Sequence, residues 1–294
     1  MNKPVSPFMT TREVAELLRV KERKVYELAA SGEIPCTRAL GKLLFQRAAV
    51  EAWLAAHGAT SGQRETPVPQ VLLGSHDPLL DWAIRESGSG LATYFDGSLD
   101  GLTRFAAGEG VAAGLHLFDP DGGDWNVKAV AERFAGQPVA LCEFAWRERG
   151  LLVAEGNPRG IATIADLKGL RVAPRQPGSG TQVLFDHYLA TAGVAGAIAP
   201  VHPTRTETDA ALAVAEGKAD AAFGIRSVAQ QYRLGFVPVV RERYDILVWH
   251  RTWFQEPLQA LFRFCRTDAF LKRVREIGGY DVSELGRVRH TGLG

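Results

Sequence analysis

The chain has 294 residues, too many for one ordinary core and a natural length for two domains. Hydrophobic residues make up 46% of it, and 34 Lys and Arg against 33 Asp and Glu leave a formal charge of +1, which excludes a disordered polar chain or a basic tail protein. Cys36, Cys142 and Cys265 are too few and too widely spaced for a disulfide framework or a zinc finger, and neither a signal peptide in the first ten residues nor an ~18-residue apolar span is visible, so a soluble cytoplasmic protein without metal or cofactor is expected.

In chain order, Thr10-Thr11-Arg12-Glu13 reads as a capping box that opens a helix running to Leu18, with Val14, Leu17 and Leu18 on one buried stripe. A second helix over Lys21 to Ala30 turns Val25, Leu28 and Ala29 inward and ends at Gly32, where a left-handed cap is wanted. Two short helices joined by a tight turn are the geometry of a helix-turn-helix, whose second helix sets its first turn against base edges in the major groove. That turn is Lys21, Glu22, Arg23 and Lys24, followed by Tyr26. The segments 33–38 and 42–45 then flank Ala39-Leu40-Gly41 as a hairpin, or wing, with Arg38 and Lys42 near its tip, and Arg47 opens a third helix carrying Val50, Trp53 and Leu54. Residues 1–62 hold nine Lys and Arg against six Asp and Glu, whereas 63–294 hold twenty-five against twenty-seven, so what excess of positive charge there is lies on this leading module.

The order helix, helix, wing, helix resembles the excisionase-like branch of winged helix-turn-helix proteins related to the mercury-resistance regulators. The likeness runs from Met9 to His57 and is carried by residues 11–18, Val25-Tyr26, the turn Gly32-Glu33-Ile34-Pro35 and Ala49 to Leu54. It implies double-stranded DNA as partner, with Thr11, Lys21, Arg23, Lys24, Tyr26, Arg38 and Lys42 as contact residues. Where that family often has Ser or Thr at the start of the second helix this chain has Lys21 to Lys24, which keeps phosphate contact and leaves base specificity open.

Residues 1–58 therefore form the first domain. The stretch 59–69, poor in large apolar residues and ending in Pro67-Val68-Pro69, is a linker, and 70–294 a second domain. Its apolar runs alternate with helical patterns: strands Val71–Gly74, Leu91–Phe95 and Val111–Gly114 with helices Leu79–Glu86 and Gly101–Ala107 between them, then strands Val139–Glu143 and Leu151–Ala154. A second set follows, with strand Arg171–Pro174, helices Thr181–Ala192 and Asp209–Glu216, strand Ala221–Gly224, helix Ser227–Leu234, strands Phe236–Val240 and Asp245–Trp249, and closing helices Pro257–Cys265 and Asp268–Ile277. The alternation argues for an α/β fold of parallel sheet and covering helices, in two lobes with a cleft between them.

Several strand ends lead a small or hydroxylated residue into a helix start: Ser75-His76-Asp77, Gly97-Ser98, Gly178-Ser179-Gly180-Thr181 and Gly224-Ile225-Arg226. Free backbone amides at helix starts carry partial positive charge, so such ends gathered at one point make an anion site. His116, Arg175, Arg226 and Tyr244 are further donors on neighbouring loops, while Asp77 and Asp220 read as caps or braces, since a carboxylate opposes an anion. No nucleophile with a base and no paired His and Glu of a zinc site stands at usable spacing, so an enzyme is not expected.

These segments resemble the type II periplasmic-binding-protein-like domain of the molybdate/tungstate and molybdopterin-associated type that is found fused to bacterial DNA-binding modules. The likeness covers Leu72 to Trp249 and rests on residues 74–77, 97–102, 114–117, 175–181, 219–225 and 243–245. It implies oxyanion-binding hydroxyls at Ser75 and Ser98, a backbone donor at Gly180 or Thr181 and a closing tyrosine at Tyr244; His76, His116, Arg175, Ser179 and Arg226 complete the expected ligand set from their place at the strand ends and neighbouring loops, not from the resemblance. His76, Arg175 and Arg226 are more cationic than a molybdate site requires, which keeps an organic carboxylate or phosphate open. The expected protein is a homodimeric one-component transcriptional regulator that senses a small anion, molybdate or tungstate first. The alternative is a ligand-binding module of molybdenum-cofactor metabolism whose leading domain docks a protein.

Overall fold

A computed structural model describes residues 6–18, 20–39, 42–51, 53 and 68–292. The wing tip at Leu40 and Gly41, the Arg38 side chain, Leu54 and residues 59–67 of the expected linker lie outside the described residues. The chain divides into two compact units, Met1–Pro67 and Val68–Gly294.

In the first unit β1 (Phe8–Met9) leads into α1 (Thr11–Leu18), then α2 (Glu22–Ala30), β2 (Thr37–Ala39), β3 (Lys42–Gln46) and a third helix, α3, over 47–51. The capping box is formed: the Glu13 carboxylate accepts from the Thr10 amide at 2.7 Å and hydroxyl at 2.9 Å, and the Thr10 hydroxyl accepts from the Glu13 amide. Gly32 takes φ +74° after α2, the left-handed conformation a helix end wants. Met9, Val14, Ala15, Val25, Ile34, Phe45 and Val50 make the core. Leu17, expected in the buried stripe, is exposed, because the inward face of α1 runs through Thr11, Val14 and Ala15 instead. β1, too short to show a period, pairs antiparallel with β3 and turns the wing into a three-stranded sheet.

The second unit opens with β4 (Val71–Gly74), α4 (Pro78–Glu86), β5 (Ala92–Phe95), α5 (Ser98–Ala106) and β6 (Ala112–Leu115), whose three strands are parallel. A hairpin of β7 (Phe118–Asp119) and β8 (Asp124–Trp125) and helix α6 (Val127–Arg133) lead to β9 (Val139–Val153), which spans fifteen residues. A second parallel set follows: β10 (Arg171–Ala173), α7 (Gly180–Thr191), β11 (Ala199–Pro200), α8 (Glu207–Ala215), β12 (Ala221–Ile225) and α9 (Arg226–Gln231). Then comes another fifteen-residue strand, β13 (Gly235–Trp249), before α10 (His250–Trp253), α11 (Glu256–Phe264), α12 (Asp268–Ile277), β14 (Tyr280–Asp281) and β15 (Val288–Thr291). The sheet order is β11-β10-β12-β9-β13-β6-β4-β5, with β14 and β15 beside β9.

Two corrections to the sequence reading follow. The sheet is mixed, because β9 and β13 run antiparallel to each other and to their outer neighbours β12 and β6. Each of them is also one strand where the pattern reads two. The interruptions were the charged stretches around Arg147-Glu148-Arg149 and Arg241-Glu242-Arg243, which resemble loop but lie inside the ladder, Glu242 opposite Arg147. These two strands belong to both lobes. The first lobe packs Leu80, Phe144, Ile246 and Phe262 on one face of its sheet and Phe105, Phe134 and Leu247 on the other. The second packs Phe185 and Phe223 on one face and Ala211, Ala222 and Val228 on the other. Each fully buried side chain of this size contributes roughly 1.5–3 kcal/mol, and burial of both faces accounts for the continuous apolar runs of the outer strands. Among the described residues no helix is long and apolar enough to cross a membrane, and no group of three His, Cys, Asp or Glu is placed to hold a metal ion.

Candidate functional site

In the first unit a groove of about 560 Å³ is lined by Thr10, Thr11, Arg12, Glu22, Tyr26, Lys42, Leu43 and Leu44. It brings the start of α1, the first turns of α2 and the wing strand β3 to one place. Tyr26, 52% exposed, stands in it beside Lys42, whereas Thr11 lines it from a buried position. Lys21 is exposed immediately before α2. Arg23 and Lys24 reach Glu27 one turn on, at 3.2 and 3.8 Å, and surface pairs of this kind exchange readily for a phosphate.

In the second unit the strand ends at Ser75, Gly97–Ser98 and Ser179–Gly180 come together, with their donors turned on one another. The Ser75 and Ser98 hydroxyls are 2.8 Å apart, Ser98 Oγ accepts from the His116 amide at 3.2 Å, and the Tyr244 hydroxyl donates to the Ser75 carbonyl at 2.5 Å. Ser75 and Ser98 are not helix caps, because Asp77 caps α4 through Leu80 N, and Gly97, at φ +105°, takes the cap position of α5. From the second lobe Ser179 caps α7 and Thr181 Oγ1 donates to Glu207. The lobes touch here: a Cβ on Gly180 would stand 3.0 Å from the His116 ring and carbonyl, and one on Gly97 3.6 Å from Ser179 Cα. The bare backbone of Gly180 is what allows the approach there, while Gly97 is favoured by its left-handed φ of +105°.

Arg175 is committed as well. Its guanidinium lies 3.0 Å from Glu207 and donates to the carbonyls of Thr204 and Arg205. His76 is half-buried and sets its ring edge-on to Phe95 at 5.6 Å. Arg226 departs from the expected set. It pairs with Glu148 and lies over the Phe236 ring. Tyr244 departs in its role, since its buried hydroxyl is held by backbone and its ring is covered by Arg147 at 4.5 Å.

The sequence reading missed the centre of the cleft. A chain of buried charges runs from lobe to lobe through the long strands. Asp77 meets Arg147 at 2.8 Å, Arg147 pairs with Glu242, Glu242 lies 2.8 Å from Arg149 Nε and 3.2 Å from His116 Nδ1, and Arg149 donates to Glu207 at 3.0 Å. Tyr280 adds a hydroxyl to Asp77 at 2.8 Å. Burial alone would raise the carboxyl pKa values, but the guanidinium groups outweigh it, holding Glu242 well below the usual carboxylate range and Glu207 at about 2. Burial pushes the His116 pKa down despite Glu242 beside it. With Arg175 on Glu207, three guanidinium groups thus face three carboxylates and the His116 imidazole. One signal for this was available: Arg and Glu two residues apart within apolar flanks place both on one face of a strand.

A family model described as a PBP superfamily domain matches residues 81–266, and one described as a helix-turn-helix domain matches residues 8–58. An uncharacterized protein of Bacillus subtilis (strain 168), YvgK, is 27% identical over 95% of this chain and 96% of its own length. Among solved structures the chain is similar to the sulfate-binding protein SubI of Mycobacterium tuberculosis, with TM-score 0.52 and 17% identity over 73% of this chain and 86% of that one. It is similar also to a putative phosphate ABC transporter substrate-binding protein of Clostridium perfringens, with TM-score 0.53 and 11% identity over 74% and 99%. At such identities the likeness is one of fold. With the two lobes, the crossing strands and the matched residues taken together, this chain belongs to the PBP superfamily and carries a helix-turn-helix domain ahead of it.

Proposed function

We propose that the protein is a transcriptional regulator that binds double-stranded DNA through its first unit and senses a small anionic ligand in the cleft of its second. The observation that carries this reading is the presence, in one chain, of a helix-turn-helix unit displaying Tyr26, Lys42 and a basic α2 start and a two-lobed PBP-like unit whose lobes meet over polar strand ends. Both are binding modules, and no enzymatic step is proposed. A nine-residue α2 offers few base contacts, so the reading includes a homodimer on two half-sites, acting in the cytoplasm. Lobe closure on the ligand would bias the equilibrium between DNA-binding states.

Molybdate and tungstate are the first ligands to test, on the resemblance of the strand ends, together with sulfate, phosphate and small carboxylates. The experiment is a gel-shift titration of the full chain on the DNA upstream of its own gene, with and without each anion. The expected outcome is DNA binding that weakens steeply with salt and shifts with one anion class. Tyr26→Ala and Lys42→Ala should each weaken it with little change in melting temperature. Binding that is indifferent to salt and to both substitutions would defeat the DNA half of the reading, and binding unmoved by every anion the sensing half.

A further inference from the structure

The three carboxylates of the buried chain do different work. Asp77 caps α4 by accepting from Leu80 N at 2.7 Å, and Glu207 accepts from the Thr181 hydroxyl at 3.0 Å, so both hold local structure. Glu242 holds none: its side chain meets Arg147 through one oxygen and Arg149 Nε and His116 Nδ1 through the other, with no backbone amide or hydroxyl among the described residues. Two oxygens of a planar group, each met by guanidinium, are how a protein receives a carboxylate from outside. The position is also the right one. Glu242 is fully buried at the middle of a strand shared by the lobes, and its partner His116 donates its amide to Ser98 and faces Gly180 of the other lobe.

We propose that Arg147, Arg149 and His116 form a carboxylate subsite at the centre of the cleft, and that Glu242 fills it as a built-in occupant with which a carboxylate-bearing organic acid competes. This rests on the reading of the cleft as a sensing site and narrows its ligand to planar carboxylates rather than tetrahedral metal oxyanions. A ligand carboxylate inserted at this point replaces Glu242 on the two arginines, and the released Glu242 must leave the middle of β13 for another partner or for solvent. Occupancy and strand movement are then one event. The charge of the cleft stays balanced only if Glu242 becomes solvated or protonated, so ligand entry and opening of the crossing strands are coupled.

The test is chemical rescue in the full-length protein. Glu242→Ala empties the subsite and leaves Arg147 with Asp77 alone and Arg149 with Glu207 alone, a loss expected to lower the melting midpoint by roughly 10 °C. Acetate and formate should recover about half of that drop in a saturable way, while chloride at the same ionic strength, sulfate and molybdate do not. Glu242→Gln, in which the space is filled, should show no such response, and adding Arg149→Met to Glu242→Ala should remove the rescue. If Glu242→Ala does not fold in dilute buffer, its refolding yield from denaturant with acetate replaces the melting curve. Absence of any carboxylate effect on either measure, or an equal effect of chloride, overturns the inference, and rescue by molybdate in place of carboxylates overturns the ligand class. Wild-type DNA binding that responds to an anion without any rescue leaves the sensing reading standing and this subsite refuted. Rescue without any effect of anions on DNA binding does the reverse.

Discussion

A single buried carboxyl can be followed through its pH dependence. Asp245, beside Asn126 at 2.7 Å and Arg243 at 3.0 Å, has its pKa raised from 3.8 to about 6, because burial outweighs both partners. Its proton is held more tightly folded than unfolded, so its favourable contribution is complete below pH 3.8 and is lost as pH rises through about 6, a change of roughly 3 kcal/mol. His116, whose pKa burial lowers in the fold, slopes the opposite way, its contribution being lost as pH falls below about 6.5. The comparison of two proteins separates them: Asp245→Asn should gain stability relative to wild type as pH rises from 4 to 7, by urea denaturation, and a constant difference would show that Asp245 titrates normally. Residues of this kind were the least legible in the sequence. Ser75, Ser98, Ser179 and Gly180 announced themselves by standing between a strand and a helix. Arg147, Arg149 and Glu242 gave the opposite impression, since an unpaired charge mid-strand is prohibitively costly and only a partner on another strand, invisible in one dimension, makes it tolerable.

Elements were legible in proportion to how far local sequence decides them. α1, α2, α4 and α12 begin and end within a residue or two of expectation because caps and turn glycines mark them. The two-residue β1 and β11 and the additions β14 and β15 went unread, since strands so short exist only by pairing with distant partners, and the hairpin β7–β8 went unread because its two-residue strands are too short to show a period. Glycines at close crossings give the elements their sharpest test. A Cβ on Gly114 of β6 would fall 1.9 Å from the Tyr244 hydroxyl on β13, which is itself pinned to Ser75. Neither strand can retreat without breaking its ladder, so Gly114→Ala should cost about 1–3 kcal/mol in a denaturant titration and disturb the Ser75–Ser98 contact with it. A neutral substitution would mean that the ring of Tyr244 has room to swing.

At the scale of the whole molecule, the α/β reading, the helix-turn-helix and the division into two units were accessible because each rests on repeating or local patterns, whereas the mixed sheet depended on which strands meet. If ligand and DNA act through one conformational equilibrium, their coupling is reciprocal: whatever factor the ligand applies to DNA affinity, DNA must apply to ligand affinity. Calorimetry of the ligand with and without operator DNA should return the factor found by gel shift, and unequal factors would mean that the two titrations report different species. The strands common to both lobes offer a way to watch that equilibrium. Trp146 of β9 lies opposite Arg243 of β13, with the guanidinium carbons of Arg243 and Arg241 at 5.9 and 5.7 Å from its ring. An indole facing two cations on the strands shared by both lobes is a fluorophore at their crossing, so if the lobes close as proposed, its emission in a protein whose other five tryptophans are replaced records the closure.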